Sequence, residues 1–133
     1  MKKVLIISTS LRPNANSEIL AKEVELGAKE SGHEVEFVTL KDKVINFCKG
    51  CLACQKLGKC VINDDANEIT LKMKDADVIV WATPVYYYEM SGQMKTLIDR
   101  ANSLFATGKK FSETYVITTS ADSSKGVAQT VLN

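Results

Sequence analysis

Two groups of side chains in this sequence have the types and spacing to do chemistry. The first is Ser10-Leu11-Arg12-Pro13-Asn14-Ala15-Asn16-Ser17, which follows the apolar run Val4-Leu5-Ile6-Ile7 and the hydroxyls of Ser8 and Thr9. A polar loop between a strand and a helix N-terminus is an anion site by construction, because the helix's first N–H groups are unpaired and its dipole favours negative charge. Ser10, Asn16 and Ser17 add donors, and Arg12 suits a bidentate grip on a phosphate dianion. Taken alone, the same composition also suits an ordinary capped loop. The second group is Cys48, Cys51, Cys54 and Cys60, spaced C-x-x-C-x-x-C-x-x-x-x-x-C. Repeated C-x-x-C steps can bring four thiolates around one iron–sulfur centre, whereas structural zinc prefers two separated knuckles. Free thiols, a redox disulfide and zinc remain open alternatives.

Other chemistries find little support. The loop lacks both G-x-G-x-x-G and G-x-x-x-x-G-K-[ST], so neither a dinucleotide nor a nucleoside triphosphate fingerprint is met. His33 is the lone histidine and falls at a helix-to-strand turn, and no Ser-His-Asp or Cys-His arrangement can be built around it. Seventeen basic residues against sixteen acidic ones leave a formal charge of +1, which gives no global field for nucleic acid or an anionic membrane. No stretch approaches the roughly 18 apolar residues of a membrane span. The expectation is a cytoplasmic protein, in whose reducing surroundings the cysteines are not structural disulfides.

The elements that must position these residues are legible in the hydrophobic pattern. At 133 residues the chain is expected to form one domain over 1–133. Val4 to Ile7, Val78-Ile79-Val80-Trp81 and Tyr115-Val116-Ile117 read as strands covered on both faces, and Glu34 to Thr39 alternates like an edge strand. Glu18 to Ser31 carries Leu20, Val24, Gly27 and Ala28 at helical spacing, with Gly32 as its left-handed stop. Asp65 and Glu68 resemble a capping box ahead of a stripe of Ala66, Ile69, Met73 and Ala76. A third helix is expected from Ser91 to near Gly108, with Met94, Leu97, Ile98, Ala101, Leu104 and Phe105 on one face. Asp99 and Arg100 read as a structural ion pair at a helix end or subunit contact, and Trp81 as core. Alternating strands and helices predict an α/β doubly wound parallel sheet of order 2-1-3-4. The fourth strand reads as central, and Val127, Ala128, Val131 and Leu132 only begin an amphipathic stripe, so a fifth strand is apparently lacking. The expectation is a C-terminally truncated domain whose fourth strand is protected by a partner chain or by the C-terminal segment, with self-association as a homo-oligomer.

Ser10-x-Arg12-x-x-x-Asn16-Ser17 and the long segment Thr83-Pro84-Val85-Tyr86-Tyr87-Tyr88-Glu89-Met90-Ser91-Gly92-Gln93-Met94-Lys95-Thr96-Leu97-Ile98-Asp99-Arg100 together resemble the flavodoxin-like NAD(P)H-dependent FMN reductase family, from the first strand to about Ser124. The resemblance implies a flavodoxin-like fold binding FMN, with its phosphate on Ser10, Arg12, Asn16 and Ser17. The ring would then lie against Thr83, Pro84, Val85, Tyr86 and Tyr87, with Ser120 and Ala121 of a third loop, Ser120-Ala121-Asp122, at its border. Pro84 would stiffen a ring turn that follows the third strand, and backbone N–H groups there could meet the polar rim of the isoalloxazine. The cysteine spacing resembles that of iron–sulfur flavoproteins, which implies a [4Fe–4S] cluster on Cys48, Cys51, Cys54 and Cys60, although similar cysteine-rich loops without a cluster are also implied within the family. The implied activity is an FMN-dependent NAD(P)H oxidoreductase serving small-molecule donors and acceptors such as a quinone or flavin. The rivals are an electron-transfer flavoprotein and a non-catalytic truncated module.

Overall fold

A computed structural model of the chain describes residues 1–121 and 129–131. The strands β1 (Lys3–Ser8), β2 (Glu34–Thr39) and β3 (Val78–Tyr86) alternate with the helices α1 (Asn16–Glu30), α2 (Ala53–Leu57) and α3 (Asp65–Asp75). A short strand β4 (Glu89–Met90), helices α4 (Gly92–Arg100) and α5 (Ser103–Thr107), and strand β5 (Glu113–Thr119) complete the order. β1 lies between β2 and β3, and β5 pairs with the other side of β3, all in parallel. The expected order 2-1-3-4 is therefore found, with β5 as the fourth parallel strand. The stripe expected at Val127, Ala128 and Leu132, and Asp122 of the expected third loop, lie outside the described residues. Val131 is buried.

Alternation along each strand sends side chains to two apolar layers. Leu5, Ile7, Ile79 and Trp81 pack on one face with Ala66, Ile69, Met73 and Ala76 of the α3 segment and with Met94, Leu97 and Leu104. Val4, Ile6, Val78, Val80 and Ala82 form the other face, where Ala21 of α1 is the buried helical contact. β2 carries its exposed glutamates Glu34 and Glu36 against half-buried Val35 and Phe37, the edge-strand pattern expected of it.

Three local expectations are corrected. α1 seats Ser17 and Ala21 on the sheet, while Leu20 and Val24 are 46% and 36% exposed. Small side chains one turn apart let the helix backbone approach the strands more closely than a leucine stripe would. Val24 instead borders an open cleft of about 540 Å³ between α1 and β5, lined also by Val78, Val80, Tyr115 and Ile117. The third helix breaks into α4 and α5 at Ala101 and Asn102, where the Ala101 N–H is shared between the Leu97 and Ile98 carbonyls. That break rotates Phe105 off the apolar stripe, leaving it 91% exposed. The cap of α3 is Asp64, whose carboxylate accepts the Ala66 N–H at 3.0 Å, so the start signal lies one residue before the expected Asp65. Gly32 does supply the left-handed step after α1, at φ +83°. Trp81 is core as expected, and His33 accepts the Lys2 N–H through Nδ1 at its turn.

Candidate functional site

Because the sheet is parallel, β1, β3 and β5 deliver the loops after them to the same end. Ser8 is level with Ala82, and Pro84 is level with Thr119. The segments Ser8–Ser17, Thr83–Ser91 and Ser120–Ala121 therefore meet at the carboxyl edge, where open α/β sheets bind ligands.

The first of these loops joins β1 to the N-terminus of α1. Its turn is made at Asn14, in the left-handed region at φ 54°, which a short polar side chain tolerates well. Ala15 then opens the 15-residue helix α1 with no side-chain cap, so the first N–H groups of the helix face the loop without a side-chain acceptor. The hydroxyls of Ser8 and Ser17 are fully buried and have no hydrogen-bond partner among the described residues. Buried hydroxyls without partners are costly, and Ser17 stands in the first turn of α1, where the helix N–H groups are also without a side-chain acceptor. Ser10 is buried and accepts the Arg12 N–H at 3.3 Å, folding the loop back on itself. The Arg12 side chain stands exposed, as does Asn16.

The second segment differs from the loop that was expected. Thr83 to Tyr86 are the last residues of β3 itself, which pairs back onto β4 through Val85 with Met90 and Tyr86 with Glu89. Tyr87 and Tyr88 form the two-residue turn, with φ of 50° and 66°. Two left-handed central residues define the tight hairpin turn that normally selects Asn-Gly, so a Tyr-Tyr pair there is strained, and such strain gathers at functional sites. Tyr87 is 95% exposed and its ring meets Tyr88 edge to face at 5.9 Å between centroids. Pro84 stiffens a strand rather than a turn. β1 has already ended beside Ala82, so the missing N–H of Pro84 leaves no β1 carbonyl unpaired.

A buried polar network, not foreseen from the sequence, locks the two segments together. The Thr9 hydroxyl donates to the Ala82 carbonyl at 2.9 Å and therefore accepts from the Ser91 hydroxyl at 3.1 Å. Thr83 Oγ1 accepts the Ser91 N–H at 3.1 Å and donates to the Pro84 carbonyl at 2.8 Å. Ser91 also caps α4 by accepting from Met94, and Gln93 Nε2 donates to the Thr9 carbonyl at 2.8 Å. The only local signal was Ser91 as a helix opener, since its partner Thr9 lies 82 positions away.

The cysteines occupy the connection from β2 to α3. All four line one small cavity of about 40 Å³ together with Arg100 and Asn102, and none is in a disulfide. Among the described residues no three His, Cys, Asp or Glu side chains are close enough to hold a lone metal ion. A four-iron cluster spreads its thiolates wider than a single ion does. The donor chemistry fits such a group, because three sulfurs already accept N–H bonds: Cys48 from the Gly50 backbone at 3.4 Å, Cys54 from Asn102 Nδ2 at 3.3 Å, and Cys60 from Arg100 Nε at 3.2 Å.

Arg100 does not pair with Asp99, which instead meets Lys95 at 2.5 Å one turn earlier. It makes a bidentate bridge to Asp64, at 2.7 and 2.9 Å, with both side chains essentially buried. Burial pushes the Asp64 carboxyl up, but hydrogen bonds from Arg100, from the Asn46 and Ala66 N–H groups and from the Asn46 side chain outweigh it and hold the carboxyl at about 2. Burial likewise opposes the charge of Arg100, and Asp64 followed by Cys60 more than offsets it.

The comparisons agree with this architecture. The family model for NADPH-dependent FMN reductase matches residues 2–132. An iron-sulfur flavoprotein of Methanocaldococcus jannaschii is 46% identical over 102 residues, covering 77% of this chain and 53% of that protein. One from Methanosarcina thermophila is 41% identical over 100 residues, covering 74% and 52%. The chain thus spans about half the length of these curated relatives. Among solved structures, the NAD(P)H:quinone oxidoreductase from Methanothermobacter marburgensis superposes with a TM-score of 0.77 at 14% identity, covering 96% of this chain and 72% of that one. An azoreductase from Bacillus anthracis gives 0.73 at 18% identity, covering 98% and 75%. These likenesses carry the flavodoxin-like fold, and with the family match over almost its whole length the chain belongs to the NADPH-dependent FMN reductase family.

Proposed function

We propose that this chain binds FMN and serves an NAD(P)H-dependent oxidoreductase. The observation that carries the reading is the buried, unpartnered Ser17 hydroxyl at the uncapped N-terminus of α1. Ser10, Arg12, Asn16 and Ser17 would hold the phosphate, Arg12 closing over it from solvent. Thr83, Pro84, Val85, Tyr86 and Tyr87 would border the ring, with Ser120 and Ala121 at its far rim. When bound, FMN would supply hydride and electron transfer between NAD(P)H and a quinone, a flavin or another acceptor. The chain's own task is positioning and water exclusion, which requires no dedicated acid or base. The Thr9, Ser91 and Thr83 network keeps the phosphate and ring segments at fixed separation, and the exposed tyrosines offer aromatic faces. We further assign Cys48, Cys51, Cys54 and Cys60 to a [4Fe–4S] cluster, supported by their shared cavity, the three N–H donors to sulfur and the names of the relatives. A cluster makes an electron-transfer flavoprotein the second reading. A cytoplasmic homo-oligomer is the setting we expect. Among the described residues no helix is long and apolar enough to cross a membrane.

Titration with FMN tests the reading directly. Binding should quench flavin fluorescence, and Arg12→Ala should weaken it about tenfold, the loss of one charge-assisted contact to phosphate. A chain that stays colourless in excess FMN would leave the non-catalytic module. Binding without bleaching by NADH or NADPH on a catalytic timescale would leave the electron carrier.

A further inference from the structure

Arg100 is a saturated guanidinium. Its five N–H groups meet five acceptors: Cys60 Sγ from Nε, the Asn46 carbonyl at 2.9 Å and one Asp64 oxygen from one terminal nitrogen, and the Ile62 carbonyl at 3.0 Å and the other Asp64 oxygen from the other. Asn46 lies two residues before Cys48, and Ile62 lies two residues after Cys60. One side chain therefore staples both ends of the cysteine segment to the C-terminus of α4. Two residues on, Asn102 reaches Cys54 from the turn into α5. A second attachment lies at Gly58, where a Cβ would come within 2.9 Å of Thr107 Cγ2, so α2 is seated closely on α5.

We infer that Arg100 and Asn102 are positioning residues of the cysteine centre, holding Cys60 and Cys54 by N–H donation to sulfur and setting the redox potential of the group those cysteines bind. The inference rests on the cluster reading above. Asp64 neutralises the Arg100 charge at 2.7 Å, and Asn102 is neutral, so what both deliver to sulfur is a directed N–H dipole rather than net charge. Such donors stabilise the more electron-rich, reduced form of an iron–sulfur centre. A lysine at position 100 has no planar fork and cannot serve Cys60, both Asp64 oxygens and two carbonyls at once. Asn102→Ala removes a single donor and leaves the buried pair intact.

The test uses the full chain, reconstituted anaerobically with iron and sulfide, and reads iron and acid-labile sulfide per chain together with the midpoint potential. FMN affinity is followed separately. Asn102→Ala should retain iron and sulfide but shift the reduced-to-oxidised ratio about threefold toward the oxidised form. Arg100→Lys should shift it about tenfold, which is about 59 mV downward for one electron, and should also lower cluster content. Unchanged potentials in both variants would overturn the inference while leaving the cluster reading in place. If Arg100→Lys does not fold, an unchanged potential in Asn102→Ala alone overturns it. A wild-type chain that takes up neither iron nor sulfide overturns the cluster reading and the inference together.

Discussion

Replacing Asp64 by asparagine should expose how much the buried bridge to Arg100 contributes. The carboxylate accepts both terminal nitrogens of Arg100, the Asn46 backbone and side-chain amides, and the Ala66 N–H that caps α3. Asparagine keeps the shape but turns one acceptor into a donor facing a guanidinium, and it leaves a buried cation unpaired. Removing one member of a buried pair costs about 3–5 kcal/mol, a large share of the roughly 5–15 kcal/mol that holds a domain together. Part of this is titratable. The carboxyl falls from its ordinary 3.8 to about 2 on folding, which corresponds to about 2 kcal/mol. Since the folded value is the lower one, that stabilisation is complete above pH 4 and drains away as pH falls toward 2. Asp75, Asp77 and Glu113 are also held down by surface partners, so the wild type alone would not isolate Asp64. Urea unfolding of wild type and Asp64→Asn, repeated from pH 7 to pH 2, isolates it by difference. The gap should be several kcal/mol at pH 7 and narrow by about 2 kcal/mol between pH 4 and pH 2. A gap independent of pH over that range, or one under 1 kcal/mol at pH 7, would refute the account of a buried ionised bridge.

Ser17→Ala should leave the FMN-free chain equally stable or slightly more so, because it deletes an unsatisfied hydroxyl, while weakening FMN about tenfold in a fluorescence titration. Stability lost without any change in affinity would mean the hydroxyl is structural. Tyr87→Asn combined with Tyr88→Gly installs the pair that the hairpin turn prefers and should raise the melting temperature, by the equivalent of about 1 kcal/mol, while lowering flavin affinity. A double variant that gains stability and keeps its affinity would remove the tyrosines from the ring site. Gly58→Ala meets both a φ of +73° and the Thr107 methyl, so it should destabilise by about 1–2 kcal/mol in thermal unfolding. Adding Thr107→Ser should recover the steric share alone.

Sequence reasoning reached the elements whose signal is local. Val4 to Ile7 and Val78 to Trp81 are uninterrupted apolar runs, and a strand buried on both faces has no other composition available. Ala66, Ile69, Met73 and Ala76 repeat at helical spacing and are all buried, because α3 meets the sheet along one stripe. The strand-to-helix loop after β1 was legible for the same reason, since Ser8 to Ser17 are ten consecutive residues. Contacts that close over long separations left no periodic trace. Arg100 with Asp64 spans 36 positions and Thr9 with Ser91 spans 82, and a charged residue on an amphipathic helix is by default a solvated one. The β3–β4 hairpin was hidden by its own turn, because Tyr-Tyr is not the pair that marks such a turn. On α1 the apolar Leu20 and Val24 suggest the packing face, whereas the small Ser17 and Ala21 set the approach of helix to sheet.

These long-range contacts converge on one element. α4 begins at Ser91 and Gln93, both bonded to Thr9 of the loop after β1, and ends at Arg100, bonded to both flanks of the cysteine segment. At 1.5 Å per residue its nine residues span about 14 Å. The helix hides Met94 and Leu97 in the core between those polar ends, so it cannot slide along its axis without breaking either the Ser91 cap or the Arg100 staple. The loop after β1 and the cysteine cavity are thereby held at the two ends of one rigid rod. Their separation is fixed by helix geometry, and the loops that carry them need not be stiff along their whole length.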